Sequence, residues 1–211
     1  MLFDFAELSG KTRYKLLCAT VLPRPIAWVT TLGEDSQVNA APFSFFNVFS
    51  EDPALVILGL QHHADGSPKD TTRNIGRSGE FVVNVVSEAL MTEMIGTAAA
   101  YGPEESETQA LGLAVEPGVK IAAPRLAAAP AALECRHYKS MPVGAHREIL
   151  IGEVLALHAR DGLIDPQTHH ADWGGDYPLG RLFADRYSRT SETDRMTIPA
   201  VPYRPATRTK D

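Results

Sequence analysis

The sequence is poor in features that would mark a secreted or membrane protein. Its 211 residues include two cysteines, Cys18 and Cys135, which lie far apart without C-x-x-C or metal-ligand spacing. We therefore expect two buried thiols rather than a disulfide or a zinc site. No apolar stretch approaches about 18 residues, and the N-terminus lacks a positive segment followed by an apolar run. These absences predict a cytoplasmic protein with no membrane partner.

Basic charge and nucleotide-binding motifs are also scarce. The chain has 20 lysines and arginines against 26 acidic residues, a net charge of −6. Without a basic block, this balance argues against nucleic acid as the main partner. No G-x-G-x-x-G follows a predicted strand and no P-loop is present, which excludes the usual dinucleotide and phosphate-binding folds. Composition and length suit one globular domain.

The segment from residue 22 to residue 47 predicts a β-hairpin with unusual ends. Ile26 to Leu32 is rich in β-branched and aromatic residues and predicts a strand, and Gly33 to Ser36 has turn composition. Prolines on both sides of Arg24 hold it extended at the strand entrance. The second strand leads into N-A-A-P-F-S-F-F-N, where small residues would let the backbone approach a flat ligand. The alternatives are that the phenylalanines form ordinary core and that Arg24 is a surface charge.

A helix is predicted from Pro68 to about Ser78. Ser67 is a suitable N-cap, Pro68 suits the first helical position, and Gly79 suits a left-handed C-cap. Lys69 then lies in the first turn, where the helix dipole favours an acid instead. A lysine beside free backbone N–H groups is typical of a phosphate site, although a solvated surface lysine is the alternative. The neighbouring His62 and His63 are assigned to a loop, not to a metal site.

The remaining segments predict mostly strands joined by hairpins. The predicted strands are Ala54–Leu60, Glu80–Val86, Ala132–Lys139 and Glu148–Arg160, and the predicted helices are Thr12–Thr20, with Tyr14, Leu17 and Cys18 facing the core, and a Ser87-capped helix ending at Gly96. Phe49–Pro53 is predicted as a turn, residues 97–109 as a surface excursion, and Val119–Pro130 as an extended connection. About six or seven strands with two or three short helices, without alternating βα units, predict an antiparallel closed sheet.

Four motifs resemble the flavin reductase-like family of FMN-binding split barrels, in particular its flavoredoxin-like branch. They are P-R-P-I-A-W-V-T-T with N-x-A-P-F-S-F-F-N, K-D-T-T-R-N-I, G-A-H-R-E-I-L-I-G-E-V, and P-L-G-R-L-F-A-D-R-Y. The resemblance covers the first hundred residues well and the rest loosely. It implies a mainly β, antiparallel Greek-key split β-barrel over residues 1–187, followed by an extended or partly disordered tail over residues 188–211, and a homodimer with FMN at the subunit interface.

The resemblance also implies site residues. In the family the hairpin lies along the flavin ring and the K-D-T segment approaches the phosphate. Carried over, the cofactor-binding residues are Arg24, Trp28, Thr30, Asn39, Ala41, Ser44, Phe45, Asn47, Lys69, Asp70 and Thr71. His146 matches a histidine near the nicotinamide end of the flavin in NAD(P)H-using members, and Tyr187 matches a tyrosine that approaches the flavin, so the resemblance makes these two the candidate catalytic residues. Ala145 replaces the aspartate common before that histidine, so a structural role for His146 is the alternative.

Three functions are compatible with these motifs. The first is an NAD(P)H-dependent FMN reductase, with a monooxygenase or another redox protein as partner. The second is a flavoredoxin-type carrier with tightly bound FMN and a protein electron donor, and the third is a non-enzymatic flavin-binding barrel. No metal is predicted in any of them.

Overall fold

Strands contribute more residues than helices to the computed structural model, which describes residues 1–102 and 105–194. The helices are α1 Gly10–Thr20, α2 Asp70–Ser78, α3 Met91–Gly96 and α4 Glu107–Ala110, with 3₁₀ turns at Phe5–Glu7 and Glu88–Leu90. The strands are β1 Arg24–Pro25, β2 Ala27–Leu32, β3 Val38–Phe43, β4 Phe46–Glu51, β5 Ala54–Gln61, β6 Glu80–Asn84, β7 Val115–Glu116, β8 Arg125–Leu126, β9 Ala131–Pro142, β10 Arg147–Ala159, β11 Gly180–Arg181 and β12 Tyr187–Ser188. No helix in the described ranges is long and apolar enough to cross a bilayer.

Seven of these strands form one antiparallel sheet in the order β3-β2-β6-β9-β10-β5-β4. The predicted hairpin is confirmed, with Ala27 opposite Phe43 and Leu32 opposite Val38. The sheet's longest pairing joins β9 to β10, from Glu148 opposite Pro142 to Ala159 opposite Ala131. Two smaller sheets, β1-β11-β12 and β7-β8, lie outside it.

The two outermost strands of this sheet are joined by only two residues. Strand β3 ends at Phe43 and β4 begins at Phe46, so three Cα steps, at most about 11 Å, separate the opposite edges. The sheet must therefore curl until the adjoining ends of these two edges lie close together. The backbone N–H of Gly59 in β5 donates to the carbonyl of Phe45 at 2.7 Å, which extends the β4–β5 pairing by one residue into this connection. The predicted antiparallel closed barrel with a few short helices is confirmed.

Alternate residues of the strands fill the barrel. In β5, Val56, Leu58 and Leu60 are all buried, as expected where every second side chain points to one face. They pack in a cluster with residues of β2, α2, β6, β9 and β10: Ala27, Val29, Ile75, Phe81, Val83, Cys135 and Leu150. Both cysteines are buried and free, as predicted.

Three local predictions were wrong. In α1 only Cys18 is buried, whereas Tyr14 and Leu17 are 48% and 46% exposed, because the helix touches the barrel by one narrow edge. Residues 49–51 continue strand β4 through backbone pairing with β5, so the predicted turn is confined to Asp52 and Pro53.

The third error concerns α2, which begins at Asp70 instead of Pro68. Ser67 does not cap it, because its hydroxyl donates to Asp65 at 2.6 Å.

The free edge of β3 is covered by residues 106–108, which were predicted to be a surface excursion. The Ser106 hydroxyl donates to the carbonyl of Val38 at 2.7 Å, and a Glu107 carboxylate oxygen accepts from the N–H of Ala40 at 3.1 Å. Ser106, Glu107 and Thr108 are all buried. The segment thus satisfies backbone groups that an edge strand otherwise leaves unpaired.

The first residues of the predicted tail are held against the domain. Tyr187 and Ser188 form β12, Arg189 pairs with Glu88, and the Thr190 hydroxyl donates to the carbonyl of Pro178 at 2.7 Å. The rest of the predicted tail, residues 195–211, lies outside the described residues.

A Gly59→Ala substitution is expected to destabilise the barrel at its closure. The added Cβ would lie 2.9 Å from the Cβ of Phe45, an atom that side-chain rotation cannot move away. Such overpacking typically costs about 1–3 kcal/mol of unfolding free energy, measurable by urea denaturation. Gly76→Ala is the matched control. Apart from the neighbouring residues of its own helix, no described atom lies within 4 Å of the added Cβ. Alanine also favours the helix by roughly 0.5–1 kcal/mol relative to glycine. Equal effects of the two substitutions would contradict the closure constraint.

Glu107 gives a second prediction, on pH. The pKa of Glu107 is raised above its ordinary value of 4.5, mainly because the carboxyl group is buried. A pKa raised in the folded state contributes stability that is present below the unfolded pKa and is lost as the pH rises through the folded pKa. The unfolding free energy of the wild type, minus that of Glu107→Gln, should therefore fall as the pH rises above the ordinary pKa of 4.5. Parallel stability curves for the two proteins would contradict it.

Candidate functional site

Helix α2 and the β2–β3 hairpin together form a polar cavity of about 250 Å³. The side-chain amide of Asn39 donates to the Thr71 hydroxyl at 3.0 Å, and that of Asn74 donates to the Thr31 hydroxyl at 3.0 Å. The cavity is lined by four acids and two arginines together with neutral polar residues, among them Glu34, Asp35, Asp70, Glu105, Arg73, Arg77, Asn39, Asn74 and Ser106. The structure thus brings together Asn39, Asp70 and Thr71, which lie far apart in the sequence.

Lys69 is the residue immediately before α2 and makes no side-chain capping bond. Its own side chain is exposed, and its backbone is extended. The first N–H groups of a helix have no partner within the helix, so this end of α2 offers donors and a lysine at one place. Asp70 follows and pairs with Arg73, which neutralises the acid nearest to that end.

At the other end of β3 lies an apolar groove of about 440 Å³. It is lined by Leu17, Val21, Pro23, Arg24, Pro25, Ser44, Phe45, Phe46, Asn47, Phe49, Ile57, Gly59 and Ile149. Four of the predicted site residues lie here, namely Arg24, Ser44, Phe45 and Asn47. Its aliphatic and aromatic walls suit a flat apolar ligand with a few polar groups at its margin.

Arg24 lies in the wall of this groove and is only 7% exposed. One terminal nitrogen donates to the carbonyls of Cys18 at 2.8 Å and Val21 at 3.4 Å, and the other to that of Leu182 at 3.0 Å. The Nε–H has no hydrogen-bond partner among the residues that the structure describes. A buried donor left without an acceptor is costly, so Arg24 is equipped to donate one hydrogen bond to a ligand. The surface-charge alternative for Arg24 is wrong.

Strand β3 connects the polar cavity to the apolar groove. Asn39 lies at its start and Ser44 just beyond its end, about 16 Å apart at the usual rise per strand residue. Ala41 lies between them on the same face as Asn39, where its small side chain leaves the backbone accessible. The site is therefore elongated, with polar groups at one end and apolar walls at the other.

Two predicted contact residues belong to the core instead. Trp28 and Thr30 are 1% and 0% exposed. The indole N–H of Trp28 donates to the Thr97 hydroxyl at 2.9 Å, and the Thr30 hydroxyl donates to the carbonyl of Pro124 at 2.6 Å. Because β2 is covered on both faces, these side chains stabilise the hairpin rather than contact a ligand.

The two predicted catalytic residues, His146 and Tyr187, lie in different parts of the structure. Tyr187 lines a second cavity of about 430 Å³, which shares Arg24 and Ser44 with the apolar groove. His146 is exposed at the entrance to β10, and its carbonyl accepts from the N–H of His62 at 2.9 Å. The alternative of a buried structural histidine is wrong, because the His146 side chain is on the surface.

The sequence did not predict that the side chains of Arg147 and Tyr14 pack beside Phe45. The guanidinium carbon of Arg147 lies 5.5 Å from the Phe45 ring centre and 5.9 Å from that of Tyr14, and the two rings are 6.0 Å apart. Burial is the largest cause that raises the pKa of Tyr14. Adjacency to His146 could have drawn attention to Arg147. The local pattern of α1 marks Tyr14 as a core residue, and its contact with Phe45 is a tertiary one that this pattern does not show.

Comparisons with known proteins agree with this architecture. A protein of Deinococcus radiodurans is 43% identical over 197 residues, covering 90% of this chain and 86% of the relative. The 2-nitrobenzoate 2-nitroreductase NbaA of Pseudomonas fluorescens is 34% identical with a TM-score of 0.87, covering 96% of this chain and 99% of its own. Nitrilotriacetate monooxygenase component B of Bacillus cereus is 30% identical with a TM-score of 0.88, covering 93% and 98% respectively.

The family profile gives the same assignment. The flavin reductase like domain matches residues 19–178, which include the hairpin, α2, the His146 turn and the strands between them. The expected split-barrel fold is confirmed by a Shewanella frigidimarina structure described as having a split barrel domain, which is 19% identical with a TM-score of 0.81 and covers 94% of this chain and 100% of its own. The chain belongs to the flavin reductase-like family.

Proposed function

We propose that the protein is an FMN-binding oxidoreductase that passes reducing equivalents from NAD(P)H to flavin. The observation that carries the proposal is the elongated site along β3, which joins a polar end to an apolar groove. FMN has the same distribution of chemistry, with a phosphate at one end and a flat ring at the other. When bound, the flavin supplies the hydride-accepting atom of the reaction.

The residues present fit such a cofactor at both ends. At the polar end, Asn39, Lys69 and Thr71 would hold the phosphate with the free N–H groups of α2, since charge-assisted bonds to phosphate are strong. At the apolar end, Ser44 and Phe45 would bind the ring. The buried, unpartnered Nε–H of Arg24 supports this fit, because the margin of a flavin ring carries carbonyl and nitrogen acceptors.

The remaining predicted residues have more limited roles in this proposal. The small Ala41 lets the cofactor lie against β3. Asp70 forms the N-terminal turn of α2 and orients Arg73 through their ion pair. The side-chain oxygen Oδ1 of Asn47 accepts from the N–H of Val48 at 2.8 Å, which leaves the side-chain NH₂ group for the ring end.

The proposed hydride donor is NAD(P)H, with His146 as a positioning residue for the nicotinamide. His146 is exposed and follows a glycine turn, so it can adapt to an incoming ligand. Steady-state oxidation of NADH and NADPH, with and without added FMN, tests this part. Activity without added FMN indicates a prosthetic flavin, and dependence on added FMN indicates flavin as substrate. A flavin-loaded protein that oxidises neither nucleotide would contradict the proposed donor.

The electron acceptor is proposed from the relatives. One is named as a component of a monooxygenase and another as a nitroreductase. We therefore propose that reducing equivalents leave this protein for a partner monooxygenase or another redox acceptor.

The Lys69→Ala protein should bind FMN at least tenfold more weakly than the wild type. Loss of a charge-assisted contact to phosphate costs roughly 1.5–3 kcal/mol. Riboflavin lacks the phosphate, so its affinity should hardly change. Titration of flavin fluorescence measures both affinities, with Lys139→Ala, an exposed lysine of β9, as control. Equal losses for FMN and riboflavin would place Lys69 away from the phosphate, and a wild-type protein that binds neither flavin would refute the proposed function.

A homodimer is the last part of the proposal. Five exposed apolar side chains surround the groove, Leu17, Val21, Leu22, Val48 and Phe49, with exposures from 41% to 66%. A patch of this kind on a soluble protein is typical of an interface, and a second copy would cover both it and the ring end of the site.

Phe49→Glu should therefore convert a dimer to a monomer and reduce the bound flavin. A charge buried without a partner at an interface strongly opposes association. Light scattering gives the mass and absorbance gives the flavin content. Val119→Glu, at a residue that is 73% exposed but far along the chain from the groove, serves as the control and should remain dimeric. A monomeric wild-type protein with full flavin content would contradict the proposed assembly.

A further inference from the structure

The second cavity, which shares Arg24 and Ser44 with the apolar groove, has its own chemistry. It is lined by Tyr14, Lys15, Cys18, Arg24, Ile26, Pro42, Phe43, Ser44, Met94, Ala98, Arg181, Phe183, Ala184 and Tyr187. Among the described residues, three of these are basic and none is acidic. The protein as a whole carries a net charge of −6, so a positive cavity stands out against the rest of the molecule. Its field favours a negatively charged ligand.

The basic groups are held in different ways. Arg181 is half-buried, and its guanidinium carbon lies 4.5 Å from the ring centre of Tyr187, whose hydroxyl accepts from the same side chain. Lys15 projects from α1 and is exposed. Arg24 adds a third positive charge at the inner wall. Arg181 is therefore oriented before a ligand arrives, whereas Lys15 can move to meet one.

The other walls of the cavity are aromatic or aliphatic. Tyr14, Phe43, Phe183 and Tyr187 supply rings, and the buried side chains of Ile26 and Met94 supply apolar surface. A volume of about 430 Å³ lies towards the lower end of the range for small-molecule sites. These walls select a small flat body, and the guanidinium fork of arginine suits a planar carboxylate.

We propose that this cavity binds a small aromatic carboxylate beside the flavin. The ring would lie against Phe43 and Phe183, and the carboxylate would face Lys15 and Arg181. The position next to the flavin rests on the proposed function, because it uses the groove across Arg24 and Ser44 as the flavin-ring site. The charge and aromatic lining of the cavity do not depend on it.

The first experiment compares benzoate with benzamide, a neutral molecule of nearly the same shape. Isothermal titration calorimetry on the FMN-loaded protein should give at least about tenfold tighter binding of benzoate, as expected for charge-assisted contacts. Added KCl should weaken the binding of benzoate but not that of benzamide, because salt screens charges. Equal affinities for the two ligands, or failure of benzoate to bind, would overturn the proposal.

The second experiment uses a matched pair of lysines on α1. Lys15→Gln should weaken benzoate binding by about three- to tenfold and leave benzamide unchanged. Lys11→Gln, one turn earlier on the same helix and outside the cavity lining, should change neither. Both lysines are exposed, so folding should be preserved. Arg181→Gln should cause a larger loss, but it also removes contacts to Tyr187 and Ala184, so Lys15→Gln is decisive. Identical behaviour of the two lysine variants would overturn the proposal.

Titration of benzoate into flavin-free and FMN-loaded protein distinguishes this inference from the proposed function. If FMN abolishes benzoate binding, the cavity is the flavin's own and the inference is wrong. Benzoate binding in the presence of FMN, lost selectively with Lys15→Gln, supports it. A protein that binds benzoate with the same charge dependence but never binds FMN would refute the proposed function and leave the carboxylate site in place.

Discussion

The structure depends on one constraint, the two-residue connection between the outermost strands of its main sheet. Because only Ser44 and Phe45 separate β3 from β4, the sheet has to curl, and the bond from the Gly59 N–H to the Phe45 carbonyl fixes this connection against β5. Arg147 of β10 reaches the Phe45 ring across the neighbouring strand β5, and Tyr14 of α1 lies beside both. The same few residues thus close the barrel and form the apolar end of the candidate site, so barrel geometry and site geometry cannot vary independently.

Arg24 illustrates how a buried charge can serve two purposes. Its terminal nitrogens bond three backbone carbonyls, which tie the end of α1 and the segment before β12 to the hairpin entrance. Burying a guanidinium is unfavourable unless its donors are satisfied. Since both terminal nitrogens are bonded to backbone carbonyls, the side chain is held in place before any ligand arrives. A rigid donor loses little entropy on binding, which favours a specific orientation of the ligand.

Local patterns in the sequence predicted the strands and the hairpin well, because β-branched runs and turn residues determine these elements over short distances. They failed where distant segments decide. Ser67 looks like an N-cap, but Asp65 engages its hydroxyl and α2 starts three residues later. Residues 106–108 look like a polar surface, yet their polar groups are buried because the unpaired edge of β3 needs partners. Trp28 and Thr30 lie within a motif that suggests ligand contact, but β2 is a central strand covered on both faces.

The charge distribution could not be predicted from composition. A net charge of −6 describes an acidic protein, but Lys15, Arg24 and Arg181 come from α1, β1 and β11, and only the pairing of Arg24 with Arg181 in the small sheet brings the last two together. Two arginines opposite each other repel, so this pairing costs free energy unless other groups compensate. Backbone carbonyls do so for Arg24, and the Tyr187 ring does so for Arg181. An anion bound in the cavity reduces this repulsion between the two arginines further, which favours anion binding there.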